Sequence, residues 1–330
     1  MRLIIRNRPE QAAQYIADYI VDRITTFAPT QTRPFVLGLP TGSSPLPIYN
    51  ALIHAYTTAA ISFRHVVTFN MDEYVGLPRS HPQSYRSFMF ENFFRHVDIQ
   101  PENVHILNGN AADLVEECRR YETLITSLGG IELFLGGVGR DGHIAFNEPG
   151  SSLCSRTRVK SLAHETIVAN ARFFNGDVAL VPRMALTVGV QTIMDAREVV
   201  IIATGGEKAL AVAQGVEGGV SHLVTLSALQ MHPRALVVVD EEATGELRVK
   251  TVRYFVGVER TISERPRPVT GRTKLDTSVS CQPQDGELTP DSMSSRIESP
   301  RSTQVVGRPS AIPFELDVST SKGPASTPGL

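Results

Sequence analysis

Three titratable side chains lie close together in a glycine-rich segment of the sequence. Asp141, His143 and Glu148 follow the apolar run Ile131–Leu135, which predicts a buried strand. A histidine between carboxylates can take up and release protons near neutral pH. An isolated Asp-Gly-His would more simply cap a turn. Because open α/β sheets bind their ligands beyond the carboxyl ends of strands, the three residues together predict acid–base chemistry in this loop.

The same loop contains the spacing G-x-G-x-x-G, from Gly137 to Gly142, which also occurs in dinucleotide-binding sites. That motif requires a helix directly behind it and an acidic residue about twenty positions further on. Here Pro149 blocks a helix and position 162 is leucine. No second histidine or cysteine completes a zinc pattern either. We therefore expect neither a dinucleotide nor a metal, and no cofactor.

A further carboxylate stands at the end of another predicted strand. Asp72 follows the apolar segment Phe63–Phe69. Taken alone, it would more simply be a helix cap or an ion-pair partner. Because it is the second carboxylate-bearing strand end, it is also a candidate general base.

Two strand–turn–helix segments are suited to bind an anion. After the predicted strand Arg33–Leu39 come Gly42, Ser43 and Ser44, where free backbone N–H groups and the positive end of a helix dipole would face the loop. The alternative is that one of the serines only caps the helix. A second such turn carries Lys208 in the first turn of a helix, where a positive charge is unfavourable unless an anion binds there.

Residues 151–182 are polar and lack a sustained periodicity. A loop of this length in a folded domain is usually functional or disordered, so we expect a lid over an anionic ligand. A solvated basic loop is the alternative. Its basic residues are Arg156, Arg158, Lys160, His164 and Arg172.

The order of the elements predicts the fold class. Strand and helix patterns alternate through residues 1–260, and this alternation predicts an α/β domain with an open, mostly parallel sheet and helices on both faces. The longest predicted helix is Pro9–Phe27, and the last predicted strand is Ala235–Asp240. From Thr261 onward the composition becomes rich in Ser, Thr and Pro without apolar periodicity, which predicts a disordered tail over residues 261–330.

Composition restricts the class of protein further. The formal net charge of the 330 residues is −2, which argues against binding to nucleic acid or to an anionic membrane. No apolar run is long enough to span a bilayer, and the N-terminus lacks the pattern of a secretory signal. Three scattered cysteines fit a reducing compartment. We expect a cytoplasmic protein.

Three long motifs resemble those of the glucosamine-6-phosphate deaminase (isomerase) family. They are Leu37–Pro45, Val67–Leu77 and Leu135–Pro149, and the resemblance extends over residues 1 to 258. It implies a modified Rossmann-like fold without a dinucleotide. The implied reaction converts glucosamine 6-phosphate and water to fructose 6-phosphate and ammonium, and it needs no cofactor. The tail lies outside the resemblance.

The resemblance also implies roles for individual residues. The proton-transfer groups would be Asp72, Asp141, His143 and Glu148. The groups that hold the 6-phosphate would be Gly42, Ser43, Ser44, Arg172 and Lys208. In bacterial members of the family an effector, N-acetylglucosamine 6-phosphate, binds at subunit interfaces of a homo-oligomer, a hexamer. The matching positions are Ser151, Arg158, Lys160, Ser161 and Tyr254, of which Ser161 replaces the family's threonine.

Two alternative functions remain at this stage. A 6-phosphogluconolactonase-like hydrolase would share the fold and the loop around His143. It needs no base that acts on carbon, so Asp72 favours the deaminase. A non-catalytic sugar-phosphate sensor would use the same pocket. Such a sensor would be expected to lack Asp72 or His143, but both residues are present.

Overall fold

The structure is a computed structural model that describes residues 1–264. The strands are β1 (Arg2–Arg6), β2 (Phe35–Leu39), β3 (Val66–Asn70), β4 (Asp72–Tyr74), β5 (Val104–His105), β6 (Leu133–Gly137), β7 (Arg158–Ser161), β8 (Met184–Thr187), β9 (Glu198–Ala203) and β10 (Ala235–Asp240). The α-helices are α1 (Pro9–Phe27), α2 (Leu46–Thr57), α3 (Tyr85–Asn92), α4 (Leu114–Ser127), α5 (His164–Asn170), α6 (Val190–Met194), α7 (Ala209–Glu217) and α8 (Val249–Ser263).

The main sheet has seven strands in the order β1-β10-β9-β6-β2-β3-β5, and every pairing in it is parallel. Parallel strands are covered on both faces and therefore read as continuous apolar runs. β9 and β10 are such runs and are buried along their whole length. The predicted α/β fold with an open, mostly parallel sheet is confirmed.

Hydrophobic cores lie on both faces of this sheet. In β6, Phe134 packs into one core cluster, whereas its neighbours Leu133 and Leu135 pack into the other, as the alternation of side chains along a strand requires. The helix α1 has the bounds predicted from sequence, and its buried face packs against α2 and β10. The two cores hold the strand ends in fixed positions.

The order of the strands reverses between β2 and β6. From β2 the chain adds β3 and β5 on one side, and from β6 it adds β9 and β10 on the other. The loops that leave β2 and β6 therefore diverge above the carboxyl edge of the sheet. A crevice at such a reversal is where open α/β sheets bind ligands.

A second sheet, which the sequence did not predict, lies beside the first. Its three strands are antiparallel in the order β4-β8-β7. The prediction that residues 151–182 lack regular structure is wrong, because this range contains β7 and α5. β7 is short and polar, and its pairing with β8 across a long loop stabilises it in a way that local sequence does not indicate. The residues Asp72–Tyr74 are likewise a strand, with Thr187 opposite Asp72.

Some boundaries also differ. The sequence pattern predicts a helix over residues 111–128, but α4 begins at Leu114, because the side chain of Asp113 accepts hydrogen bonds from the backbone N–H groups of Val115 and Glu116. For residues 247–255 the pattern predicts a terminal strand or helix; the structure has the helix α8, which ends at Ser263, beyond the boundary expected at residue 260. The tail prediction from residue 265 onward lies outside the described residues. Within residues 1–264, no helix combines the length and the apolar character needed to cross a membrane.

Candidate active site

A cleft of about 900 Å³ opens at the carboxyl edge of the main sheet, at the reversal between β2 and β6. Residues from widely separated segments line it. All nine residues for which the sequence predicted a catalytic or phosphate-binding role are among them: Gly42, Ser43, Ser44, Asp72, Asp141, His143, Glu148, Arg172 and Lys208. The structure therefore brings the predicted proton-transfer and phosphate-binding groups into one cavity.

Asp72 is the first residue of β4, directly beyond the end of β3. Its side chain lines the cleft, and the residue is only 7% exposed. Burial, together with the neighbouring charge of Glu73, raises the pKa of Asp72 to about 8, because low dielectric disfavours the charged form. A carboxylate with such a pKa is a stronger base than an ordinary aspartate, as abstraction of a proton from carbon requires.

Glu73 is a structural partner of this base that sequence reasoning missed. Its carboxylate accepts hydrogen bonds from the backbone N–H groups of Tyr85 (2.9 Å) and Arg86 (3.0 Å) at the start of α3. It also accepts one from its neighbour Tyr74. Burial raises the pKa of Glu73 in spite of these bonds. The contact spans twelve residues, so no local motif could have revealed it.

His143 and Asp141 form a close pair in the loop after β6. The Nδ1 of His143 lies 2.6 Å from Oδ1 of Asp141, although the contact lacks the angle of a well-aligned hydrogen bond. Burial opposes ionisation of Asp141, but the contacts from His143 outweigh it and lower the pKa of Asp141. An ionised carboxylate at Nδ1 fixes the ring and leaves Nε2 to exchange protons.

The backbone of this loop is built around the imidazole. The N–H of Gly139 donates to the carbonyl of His143 at 2.8 Å, and Gly142 adopts a positive φ of 83°. A Cβ at Gly139 would lie 2.4 Å from the imidazole ring. The hydroxyl of Thr225 accepts from the N–H of Ile144 at 3.1 Å. The glycines are therefore needed for the ring to lie where it does.

Glu148 lines the cleft but does not contact His143. Its Oε1 accepts a hydrogen bond of 2.8 Å from the backbone N–H of Ala163, immediately before α5. At its other end α5 is joined to the second sheet, because the amide of Asn170 donates to the hydroxyl of Tyr74 at 3.0 Å. The segment predicted to be a lid is thus a helix attached at both ends to the walls of the cleft.

The loop between β2 and α2 forms another wall. Gly42 has a φ of 101°, which few residues other than glycine adopt. The N-cap of α2 is Pro45, and no side chain caps the helix, so the alternative role of Ser43 or Ser44 as a cap is wrong. Their hydroxyls make no hydrogen bond within the described structure and face a cleft at a helix N-terminus, where anions are stabilised.

Positive side chains also line the cleft and lie near one another. Lys208 lies beyond β9, and its side chain is 14% exposed. Burial is the main cause of its lowered pKa, and the charges of Arg140 and Arg172 add to it. Arg172 forms no ion pair in the part of the chain that the structure describes. Glu207 contacts both Arg140 and Lys208. The group can receive an anion.

The predicted effector residues fall into two places. Lys160 lies 3.4 Å from the hydroxyl of Ser151, and Arg158, on the same strand, donates to the side chain of Asn147 at 2.8 Å. Ser161 ends that strand and is exposed. Tyr254 is exposed on α8, which packs against β1 at the far edge of the main sheet.

The arrangement is that of a sugar-phosphate enzyme of the α/β class. It combines a buried base, a histidine–carboxylate pair and a cationic pocket around one cleft. In the described residues, no group of three or more His, Cys, Asp or Glu side chains is placed to hold a metal ion.

The chain belongs to the family of glucosamine-6-phosphate isomerases and 6-phosphogluconolactonases, whose model matches residues 7–263. It is 60% identical over 260 residues to a glucosamine-6-phosphate deaminase of Histophilus somni, an alignment that covers 79% of this chain and 97% of the relative. It is 62% identical over 258 residues to glucosamine-6-phosphate deaminase 1 of Bos taurus, with 78% and 89% covered.

Solved structures show the same fold. A monomeric glucosamine-6-phosphate deaminase superposes with a TM-score of 0.71 at 41% identity, over 74% of this chain and 100% of that one. A 6-phosphogluconolactonase from Trypanosoma cruzi reaches a TM-score of 0.60 at 21% identity, over 74% and 96% of the two chains. At 21% identity, the similarity to the 6-phosphogluconolactonase concerns the fold alone.

Proposed function

We propose that this chain catalyses the conversion of glucosamine 6-phosphate and water to fructose 6-phosphate and ammonium. The observation that carries the proposal is the buried carboxylate of Asp72, whose pKa is raised to about 8, in one cleft with the His143–Asp141 pair and a cationic end. Relatives at about 60% identity bear the name of this activity. No metal or organic cofactor enters the proposed reaction.

The cationic end would hold the substrate. Gly42, Ser43 and Ser44 offer backbone N–H groups and free hydroxyls, while Arg172 and Lys208 offer positive charge. Binding of the 6-phosphate there fixes the distance of the sugar carbons from the catalytic groups. Binding energy at a remote group is thereby converted into orientation at the reacting carbons.

The proton transfers can be assigned to the remaining groups. Ring opening breaks the C1–O5 bond and moves the proton of the C1 hydroxyl to O5, with His143 as the carrier and Asp141 orienting it. The Asp72 carboxylate then takes the proton from C2 while the ammonium group of the substrate gives a proton to the C1 oxygen, which leaves an enolamine. Asp72 returns its proton to C1 and leaves a protonated ketimine at C2. Water adds at C2, its protons pass to the nitrogen, and ammonium departs as the C2 carbonyl forms.

Glu148 has a different place in this proposal from that of Asp141. Its Oε1 accepts the hydrogen bond from the N–H of Ala163 and holds the start of α5. Its second oxygen, Oε2, is the one that would act on the proton transfer of His143.

The test is release of ammonia from glucosamine 6-phosphate by the purified chain. Asp72→Asn should lower kcat by several orders of magnitude. The matched control is Asp22→Asn, because Asp22 is exposed on α1 and has no side-chain hydrogen bond or ion pair within the described structure. Ammonia release no faster than in the absence of enzyme, or full turnover by Asp72→Asn, would contradict the proposal.

The lactonase alternative makes a different prediction. Hydrolysis of 6-phosphogluconolactone needs His143 but no proton transfer from carbon. That reaction would therefore not use the basicity that the raised pKa gives to Asp72. We expect the chain to hydrolyse that lactone no faster than a control without enzyme. Lactone hydrolysis without ammonia release would reverse the assignment.

We further propose a cytoplasmic homo-oligomer, a hexamer, that responds to N-acetylglucosamine 6-phosphate through Ser151, Arg158, Lys160, Ser161 and Tyr254. The contact between Ser151 and Lys160 supports a site for an anionic ligand. The glucosamine-6-phosphate deaminase of similar structure is monomeric, so the fold itself does not require assembly. The solution mass, together with ammonia release at rising effector concentration, tests both parts.

A further inference from the structure

An ion pair joins two loops at the phosphate-binding end of the cleft. Arg140 follows β6, Glu207 follows β9, and Nη2 of the arginine lies 2.5 Å from Oε2 of the glutamate. Both side chains line the cleft, and they are 67% and 46% exposed. Exposed pairs of this kind contribute little to stability. The ion pair is therefore more important for the electrostatic attraction of a ligand to the cleft than for stability.

Glu207 places a negative charge among the groups that would bind phosphate. Its Oε1 lies 3.8 Å from Nζ of Lys208. Burial opposes its ionisation, but the hydrogen bond from Arg140 and the charges of Lys208 and Arg172 outweigh it and lower the pKa of Glu207. An ionised carboxylate thus stands beside the lysine that an incoming phosphate would contact.

We infer that Arg140 and Glu207 together set the affinity of the cleft for the phosphate group. Glu207 competes with phosphate for Lys208, and Arg140 offsets the charge of Glu207. The inference rests on the proposed function and adds two residues to its binding site.

The charges decide the direction of each substitution. Three positive side chains, Arg140, Arg172 and Lys208, stand against the negative charges of Glu207 and Asp141. Removing the negative charge of Glu207 strengthens the attraction for a phosphate dianion. Removing Arg140 leaves Glu207 uncompensated and weakens that attraction.

The expected effects fall on KM and on phosphate binding. Glu207→Gln should lower KM for glucosamine 6-phosphate, and lower Kd for inorganic phosphate, by roughly three- to tenfold, the effect of one charge in a partly solvated site. Arg140→Ala should raise both by a similar factor. In the Glu207→Gln background, Arg140→Ala should still raise KM and Kd, because the positive charge of Arg140 acts on the phosphate whether or not Glu207 is ionised. Changes in kcat should be smaller than those in KM.

The experiment is a double-mutant cycle with two readouts, ammonia release for KM and kcat, and calorimetric titration with inorganic phosphate for Kd. Low, constant ionic strength is needed because salt screens exposed charges. The matched control is the exposed pair Arg119–Glu116 on α4, at 3.3 Å and away from the cleft. Arg119→Ala and Glu116→Gln should leave KM and Kd unchanged.

Two results would overturn the inference: no gain in affinity in Glu207→Gln, or no loss of affinity in Arg140→Ala. The phosphate titration also separates this inference from the proposed function. If the wild type releases no ammonia but the phosphate affinities follow the cycle, the assigned activity fails while the role of the pair stands.

Discussion

Asp72→Asn should abolish the proposed activity and at the same time stabilise the protein above pH 5. The carboxyl of Asp72 is buried, and its pKa is raised from 3.8 to about 8. Asparagine has nearly the same shape but no charge, so the substitution removes the cost of ionising a buried group and leaves the packing in place. Glu73, whose pKa is also raised by burial, stays unchanged, and the difference between the two proteins isolates Asp72.

The sign and the size follow from proton linkage. Between pH 4 and pH 8 the native state holds the proton of Asp72 more tightly than the unfolded chain does, so the free energy of unfolding falls as pH rises. Each pH unit in this window costs the wild type about 1.4 kcal/mol. At pH 7 the accumulated loss is about 4 kcal/mol. It levels off above the folded pKa.

Urea unfolding of the wild type and of Asp72→Asn at several pH values from 5 to 9 measures this difference. The gain in the variant should increase steadily to about pH 8 and then become constant. Asp22→Asn, in which an exposed carboxylate on α1 is removed, should follow the wild type throughout. A gain for Asp72→Asn that is the same at pH 5 and pH 8 would refute the assignment of a raised pKa to Asp72.

Two further predictions concern catalysis. Because Asp72 must be ionised to act as a base and its pKa lies near 8 in the free enzyme, kcat/KM for glucosamine 6-phosphate should rise by up to about tenfold per pH unit below that value; a profile flat from pH 6 to pH 8 would contradict this. Gly139→Ala should lower kcat by roughly a hundredfold, because the new Cβ would displace the ring of His143. Its Kd for inorganic phosphate should stay near that of the wild type, and loss of both would indicate a general collapse of the cleft.

The elements of the main sheet could be predicted because their signals are local. The run Ala235–Asp240, which is apolar up to its final aspartate, is β10, and the amphipathic segment Pro9–Phe27 is α1 with the same bounds. The residues that follow the strands of the main sheet could also be placed at one edge, since parallel strands present all their carboxyl ends on the same side of the sheet. That rule is why Asp72 and His143 were expected to meet.

The second sheet could not be predicted, because its stability comes from distant partners. β7 is the short polar run Arg158–Ser161, and it forms a strand only through its pairing with β8. The prediction that residues 151–182 form an irregular loop was wrong for this reason. The same limit applies to Glu73, which caps a helix that begins twelve residues later, and to the ion pair of Arg140 with Glu207, which are 67 residues apart.

In the proposed function one cavity has to hold both a base and a phosphate. Burial and the carboxylate of Glu73 raise the pKa of Asp72, whereas a cation beside it would lower that pKa and weaken the base. The positive charges of Arg140, Arg172 and Lys208 act on one another around Lys208 in the same cleft. A phosphate dianion bound there neutralises their charge, so the attraction that holds the substrate need not reduce the basicity of Asp72.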